Sequence, residues 1–163
     1  MASGTNNQLT KQIGEHLACA ELGRNKFIST PFAGNVPEFD ILAAKQGKII
    51  QVQVKSSRGI SWPLSVQDFL DIEFKDDAQI IKGEKSIPNP SLIYVFVIVK
   101  DTGQDEFFIC QVKDVQRIIN KVYVPWLSRH QGRRPKNPKS TRCDVKLEEL
   151  ERYRDNWPLL DKV

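Results

Sequence analysis

The sequence predicts an α/β chain whose mixed central sheet is flanked by helices, and three observations carry that prediction. Apolar residues recur at helical spacing near the start, and short alternating strand-like runs follow in hairpin order. Farther on, Leu92 to Val99 is apolar on both faces, as a central strand covered from each side must be. At 163 residues, 40% hydrophobic and 27% charged, the chain has the size of one compact domain, expected to span 1–163.

Leu9, Ile13, Leu17 and Ala20, joined by Ala18 and Leu22, share one helical face, and Gly23 stands where a helix would stop, so a helix is predicted over 7–22. Lys26 to Phe32 reads as a short strand ended by Pro31 and the Gly34-Asn35 turn signal. Val36 to Ala44 and Lys48 to Ser56 are two further strands, and Gln46-Gly47 between them predicts a tight hairpin.

This hairpin carries the chemistry. Ile50, Val52 and Val54 alternate with Gln51, Gln53 and Lys55, while Phe39, Ile41 and Ala43 alternate with Glu38, Asp40 and Leu42. A two-residue loop would pair Lys45 with Lys48, placing Asp40 opposite Gln53 and Glu38 opposite Lys55. Opposed residues have Cβ atoms about 5 Å apart, and a slip of one residue would move the two sets to opposite faces. An acid, an amide oxygen and an ammonium on one patch suit metal-assisted phosphodiester hydrolysis. Mg²⁺, with Mn²⁺ as substitute, takes hard oxygen ligands and activates water, and a lysine can orient that water. The same spacing also describes an ordinary polar hairpin face. Glu38 reads as a salt-bridge partner of Lys55 or a spare ligand.

The surrounding order narrows the choice. A helix bearing Gly14-Glu15-His16-Leu17-Ala18, a strand with an acid shortly after Pro37-Glu38, and a hairpin to a strand ending Gln53-Val54-Lys55-Ser56-Ser57 together resemble the PD-(D/E)XK nuclease superfamily. Within it the chain is similar to Holliday-junction-resolvase-like and restriction-associated endonucleases. The resemblance implies a restriction-endonuclease-like core of helix, three strands, helix and strand, with a metal-site half over about 7–57. It places metal ligands at Glu15, Asp40, Gln53 and the main-chain oxygen of Val54, and gives Lys55 the attacking water. It implies DNA as partner and, by analogy with junction-type relatives, a homodimer. The departure is Gln53, where the family usually has an acid; an amide still ligates but carries no charge and cannot act as a base.

Beyond Ser57 the reading is coarser. Ser56 and Ser57 either bind phosphate or end the strand. Trp62-Pro63 is expected to break any strand, Ser65 to cap a short helix through Leu70, and Lys82 to Pro90 to form a loop. Leu92 to Lys100 and Glu106 to Val112 form a hairpin around Gly103, Asp114 opens a helix reaching Tyr123, and Leu147 to Leu160 closes the chain as a docked helix.

The net charge of +4 is uneven, because Lys113 to Lys146 holds ten basic and two acidic residues. Within this basic region, about 113–146, Arg129, Arg133, Arg134, Lys136 and Lys139 sit in a loop punctuated by Gly132, Pro135 and Pro138. Such a loop can follow a phosphate backbone, and it can equally be a solvated surface. His130, with only His16 as company, reads as neither ligand nor catalyst, and Trp126 and Trp157 read as core lids.

No apolar run approaches the roughly 20 residues that cross a bilayer, and the polar start lacks a signal pattern, so no membrane partner is expected. Cys19, Cys110 and Cys143 are far apart and form no CxxC pair, which fits a reducing, cytoplasmic setting. The function expected is Mg²⁺-dependent DNA hydrolysis. The alternative is a nucleic-acid- or partner-binding module that keeps the fold without turnover.

Overall fold

The computed structural model describes residues 2–32 and 38–163. The Gly34-Asn35 turn signal and the start of the strand expected from Val36 lie outside the described residues.

Helix α1 runs Ala2–Arg24, with Gly23 inside it. Its end is made by Asn25, whose N–H and side-chain amide both donate to the Glu21 carbonyl, and by Lys26 in the left-handed region at φ 71°. Strands β1 (Ile28–Pro31), β2 (Ile41–Lys45) and β3 (Lys48–Ser57) follow as an antiparallel meander. The β2–β3 register pairs Lys45 with Lys48 and Ile41 with Val52, as the two-residue loop requires. Gln46 and Gly47 both have positive φ, 50° and 81°, the signature of a type I′ hairpin turn.

Strands β7 (Ile93–Ile98) and β8 (Glu106–Gln111) complete a five-stranded mixed sheet in the order β1-β2-β3-β7-β8, with β7 parallel to β3 and every other pairing antiparallel. Every residue of β7 is buried. Ile93, Val95 and Val97 join Val52, Val54, Ala18 and Leu22 in the core beneath α1. Tyr94, Phe96 and Ile98 join Trp62, Phe108 and Ile119 in a second core on the opposite face. That second core is roofed by α2 (Val112–Arg129), so helices flank the sheet on both sides, as the sequence predicts.

A parallel pair needs a crossover connection. The resemblance places a helix there, but the chain crosses instead through β4 (Ser61–Ser65), a 3-10 turn (Val66–Asp68) and a hairpin of β5 (Leu70–Lys75) and β6 (Ala78–Glu84), and its second long helix comes after β8. Trp62 and Pro63 thus lie within β4 rather than breaking it. Among the described residues β4 pairs only with β9 (Arg142–Lys146), and a two-stranded ribbon uses every other N–H of each strand, which leaves room for a proline. Ser65 makes no side-chain cap bond, its hydroxyl lying 3.2 Å from that of Thr141, and Lys82 to Glu84 is strand rather than loop.

In α2 a reciprocal cap joins Gln111 and Asp114, so Asp114 sits three residues past the cap rather than opening the helix itself. The closing segment is no continuous helix. α3 (Leu147–Leu150) and two 3-10 turns, Glu151–Tyr153 and Trp157–Asp161, wrap the outer edge of β8, where Arg154 bridges to Phe108. Leu150 therefore reaches the core under α2 while Trp157 reaches the one under α1. Among the described residues, no helix is long and apolar enough to cross a membrane.

Candidate active site

Asp40 sits one residue before β2, and its backbone ties two strands together. Its N–H donates to the Val52 carbonyl and its carbonyl accepts from the Phe32 N–H, each at 2.9 Å. Its buried carboxylate accepts from the Val54 N–H at 2.8 Å and from the side-chain amide of Gln53. The register anticipated from the two-residue turn thus brings Asp40 and Gln53 together. Carboxylate oxygens bonded this way are fixed in orientation, and fixed oxygens are what a cation site needs.

Helix α1 delivers Glu15 to the same place. Its packing on β3 is close because residue 14 is glycine: a Cβ there would lie 1.7 Å from Ser56 Oγ. Burial pushes the Glu15 carboxyl above its ordinary value of 4.5, and the charge of Asp40 pushes the same way, against the pull of Lys11. Lys11, one turn earlier on α1, places its ammonium 3.7 Å from Glu15 and 3.9 Å from Asp40. Sequence reasoning missed this residue. The signal available was its position four residues before Glu15, which puts both on one helix face.

Lys11, Asp40, Gln53 and Lys55 border a cleft of about 500 Å³, whose far wall includes Asp68, Lys85 and Asn89. A smaller cavity of about 240 Å³ adjoins it, sharing Lys11, Gln53 and Lys55 and reaching Trp62 and Pro63. Glu38 also borders the main cleft, but among the described residues no carboxylate lies within ion-pair distance of Lys55.

The donors fit a hard cation in part. Two carboxylates, Glu15 and Asp40, face one another across Lys11, and Gln53 can present its oxygen only by turning its amide, whose nitrogen now faces Asp40. The Val54 carbonyl projects from the same edge of β3 as its N–H, toward Asp40. Among the described residues no three His, Cys, Asp or Glu side chains cluster as a metal site, and position 53 contributes an amide rather than an acid.

The remaining candidates are placed differently. Ser56 Oγ is buried against α1 and has no hydrogen-bond partner among the described residues, and Ser57 Oγ accepts from the Gly59 N–H at 3.0 Å. The basic loop is pinned rather than free. Gln79 of β6 donates to the Pro138 and Ser140 carbonyls at 2.7 and 2.9 Å, and its own N–H donates to Gly132. Arg134 donates to the Arg142 carbonyl at 2.7 Å and lies 5.0 Å from the Trp126 ring centre. Arg129, Arg133, Lys136 and Lys139 are exposed. His130 packs on Trp126 and binds its carbonyl, and Trp157 is a core residue.

No family model matches the chain, and no curated protein matches it. Among solved structures the chain is similar to a bacterial homing endonuclease, I-Ssp6803I, with a TM-score of 0.52, 13% sequence identity, and coverage of 94% of this chain and 91% of that one. At that identity the likeness is one of fold alone, a mixed five-stranded sheet between helices.

Proposed function

We propose that the chain is a metal-dependent endonuclease of the PD-(D/E)XK type that hydrolyses DNA phosphodiester bonds. The observation that carries the reading is convergence. Asp40 and Gln53 from adjacent strands and Lys55 from β3 border one cleft, and Glu15 of α1 stands behind it, joined to Asp40 through Lys11, in a fold similar to that of a homing endonuclease. Mg²⁺, or Mn²⁺ in its place, would be held by Glu15 and Asp40 with the amide oxygen of Gln53 and the Val54 carbonyl, and would polarise the phosphate and lower the pKa of a bound water. Lys55 orients the attacking water and offsets charge that develops on the phosphate. The Val54 N–H fixes one oxygen of Asp40, so that the carboxylate is aimed before anything binds. Cutting both strands of a duplex is served by two copies related by a two-fold axis, which makes a homodimer the simplest assembly.

A second reading rests on a specific observation. The Gln53 amide donates to Asp40, and Lys11 balances both acids, so the polar groups satisfy one another without a metal. A binding module of the same fold, without turnover, would look like this. Labelled duplex, nicked, branched and single-stranded DNAs incubated in Mg²⁺ and in Mn²⁺ with wild type, Asp40→Asn and Lys55→Ala separate the two. Cutting by wild type that both variants lose supports the nuclease. Equal DNA binding by all three proteins, with no cutting, transfers the site to the second reading.

A further inference from the structure

Lys11 belongs to no part of the motif at the hairpin, yet it stands between the two acids. Its ammonium is 3.7 Å from Glu15 and 3.9 Å from Asp40, while its side chain is 54% exposed against 15% and 10% for theirs. Both separations exceed hydrogen-bond length, so charge holds it there rather than directed bonds. Asp40 differs, being clamped by Val54 and Gln53. A cation held by charge alone thus faces one clamped carboxylate, Asp40, and a second, Glu15, whose ion pair is with Lys11 itself. Lys11 also borders both cavities beside Lys55, so its four-carbon stem has space to relocate without disturbing the core.

We propose that Lys11 is a resident counter-charge that occupies the electrostatic place of the divalent cation in the metal-free protein and competes with it for Glu15 and Asp40. The inference rests on the metal-site reading above. Two carboxylates brought together without a cation would repel, and an ammonium on the same helix face removes that repulsion. The arrangement is matched to Gln53. With one acid fewer than the usual motif, a single lysine offsets one of the two carboxylate charges. Entry of a divalent ion then displaces the ammonium, leaving Lys11 and Lys55 as two cations along a cleft that a phosphate chain would enter.

The test is Mn²⁺ titration by calorimetry of the metal-free full chain as wild type, Lys11→Met, Lys11→Arg and Asp40→Asn, with melting curves in chelator and in saturating Mn²⁺. Removing the competitor should tighten Mn²⁺ binding by Lys11→Met roughly three- to ten-fold, the range set by one or two partly exposed ion pairs. Its melting temperature should fall in chelator and rise more than that of wild type when Mn²⁺ is added. Lys11→Arg keeps the charge and should bind no tighter than wild type, and Asp40→Asn should not bind. Equal or weaker binding by Lys11→Met, with wild type still binding through Asp40, overturns the competition and leaves the metal site standing. Absence of binding in both wild type and Lys11→Met overturns the metal site and the competition with it.

Discussion

The two charged regions of this chain are built in opposite ways. Around Asp40 the hydrogen bonds converge on one carboxylate, to which Val54 and Gln53 both donate, and Lys11 lies between two acids beside a cleft. In the loop between α2 and β9 they run the other way. Arg134, central to that basic cluster, is spent on the Arg142 carbonyl and on the Tyr123 and Trp126 rings, while Gln79 ties the loop backbone to β6. Local charge density therefore does not mark an interface by itself. What matters is where the charged atoms are committed: in the cleft Lys11 is paired with two acids while Lys55 has no ion-pair partner among the described residues, and in the basic loop Arg134 is turned inward while its neighbours stay exposed.

The strongest way to break this contrast is at Asp40. If the cleft is the working half, Asp40→Asn should lower cleavage at least about 100-fold in a single-turnover assay, since it removes one charge from a site already one charge short. Lys55→Ala should cost roughly 100- to 10,000-fold through loss of water orientation, with DNA binding nearly retained. Retained cutting in Asp40→Asn would remove the cleft from the chemistry.

Much of this half could be read from the sequence, for a physical reason. A two-residue turn and strict alternation fix register, and register alone placed Asp40 beside Gln53. Lys11 could not be found that way, because its meeting with Asp40 depends on how α1 crosses the hairpin, a tertiary fact. The β5–β6 hairpin was hidden by its composition: Phe74 and Ile80 face solvent, and an aspartate, Asp76, takes the left-handed turn position at φ 54° where a glycine would have announced it. In the closing segment the spacing of Leu150, Tyr153 and Trp157 mimics one helical face. In fact Leu150 and Trp157 enter different cores because the chain turns around β8 between them.

The next effect tests what holds α1 to the site. Gly14→Ala would drive a methyl into Ser56, so it should destabilise by about 1–3 kcal/mol in chemical denaturation and weaken whatever depends on the position of Glu15. Ser56→Ala removes a buried hydroxyl that has no partner among the described residues, and should be neutral or stabilising. A large loss of DNA affinity in Ser56→Ala would restore that hydroxyl to phosphate binding.

The basic loop offers a paired test of the opposite kind. Arg134→Ala should cost about 1–2 kcal/mol of stability by removing a hydrogen bond and a stacked cation. The exposed Arg133, Lys136 and Lys139, changed together to Ala, should alter stability by less than about 0.5 kcal/mol each. If those three grip DNA, their removal should instead flatten the salt dependence of binding, by about 0.9 in log–log slope for each phosphate no longer neutralised. An unchanged slope would leave the loop as scaffold alone.

The smallest effect sharpens the electrostatic half of the comparison. In the metal-free protein the Glu15 carboxyl lies above its ordinary value of 4.5, chiefly through burial and then through Asp40. A folded-state value above the unfolded one means that the native state binds the extra proton, so stability falls as pH rises through the interval between the two. Below 4.5 both states are protonated and the cost disappears. Glu15→Gln should therefore raise the melting temperature slightly near neutral pH in chelator and lose that advantage in acid. With Lys11→Met in the background the advantage should widen, because the ammonium that draws the carboxyl back toward its ordinary value is gone. An identical pH profile for Glu15→Gln and wild type would mean that Glu15 is solvated like any surface glutamate and takes no part in the cleft.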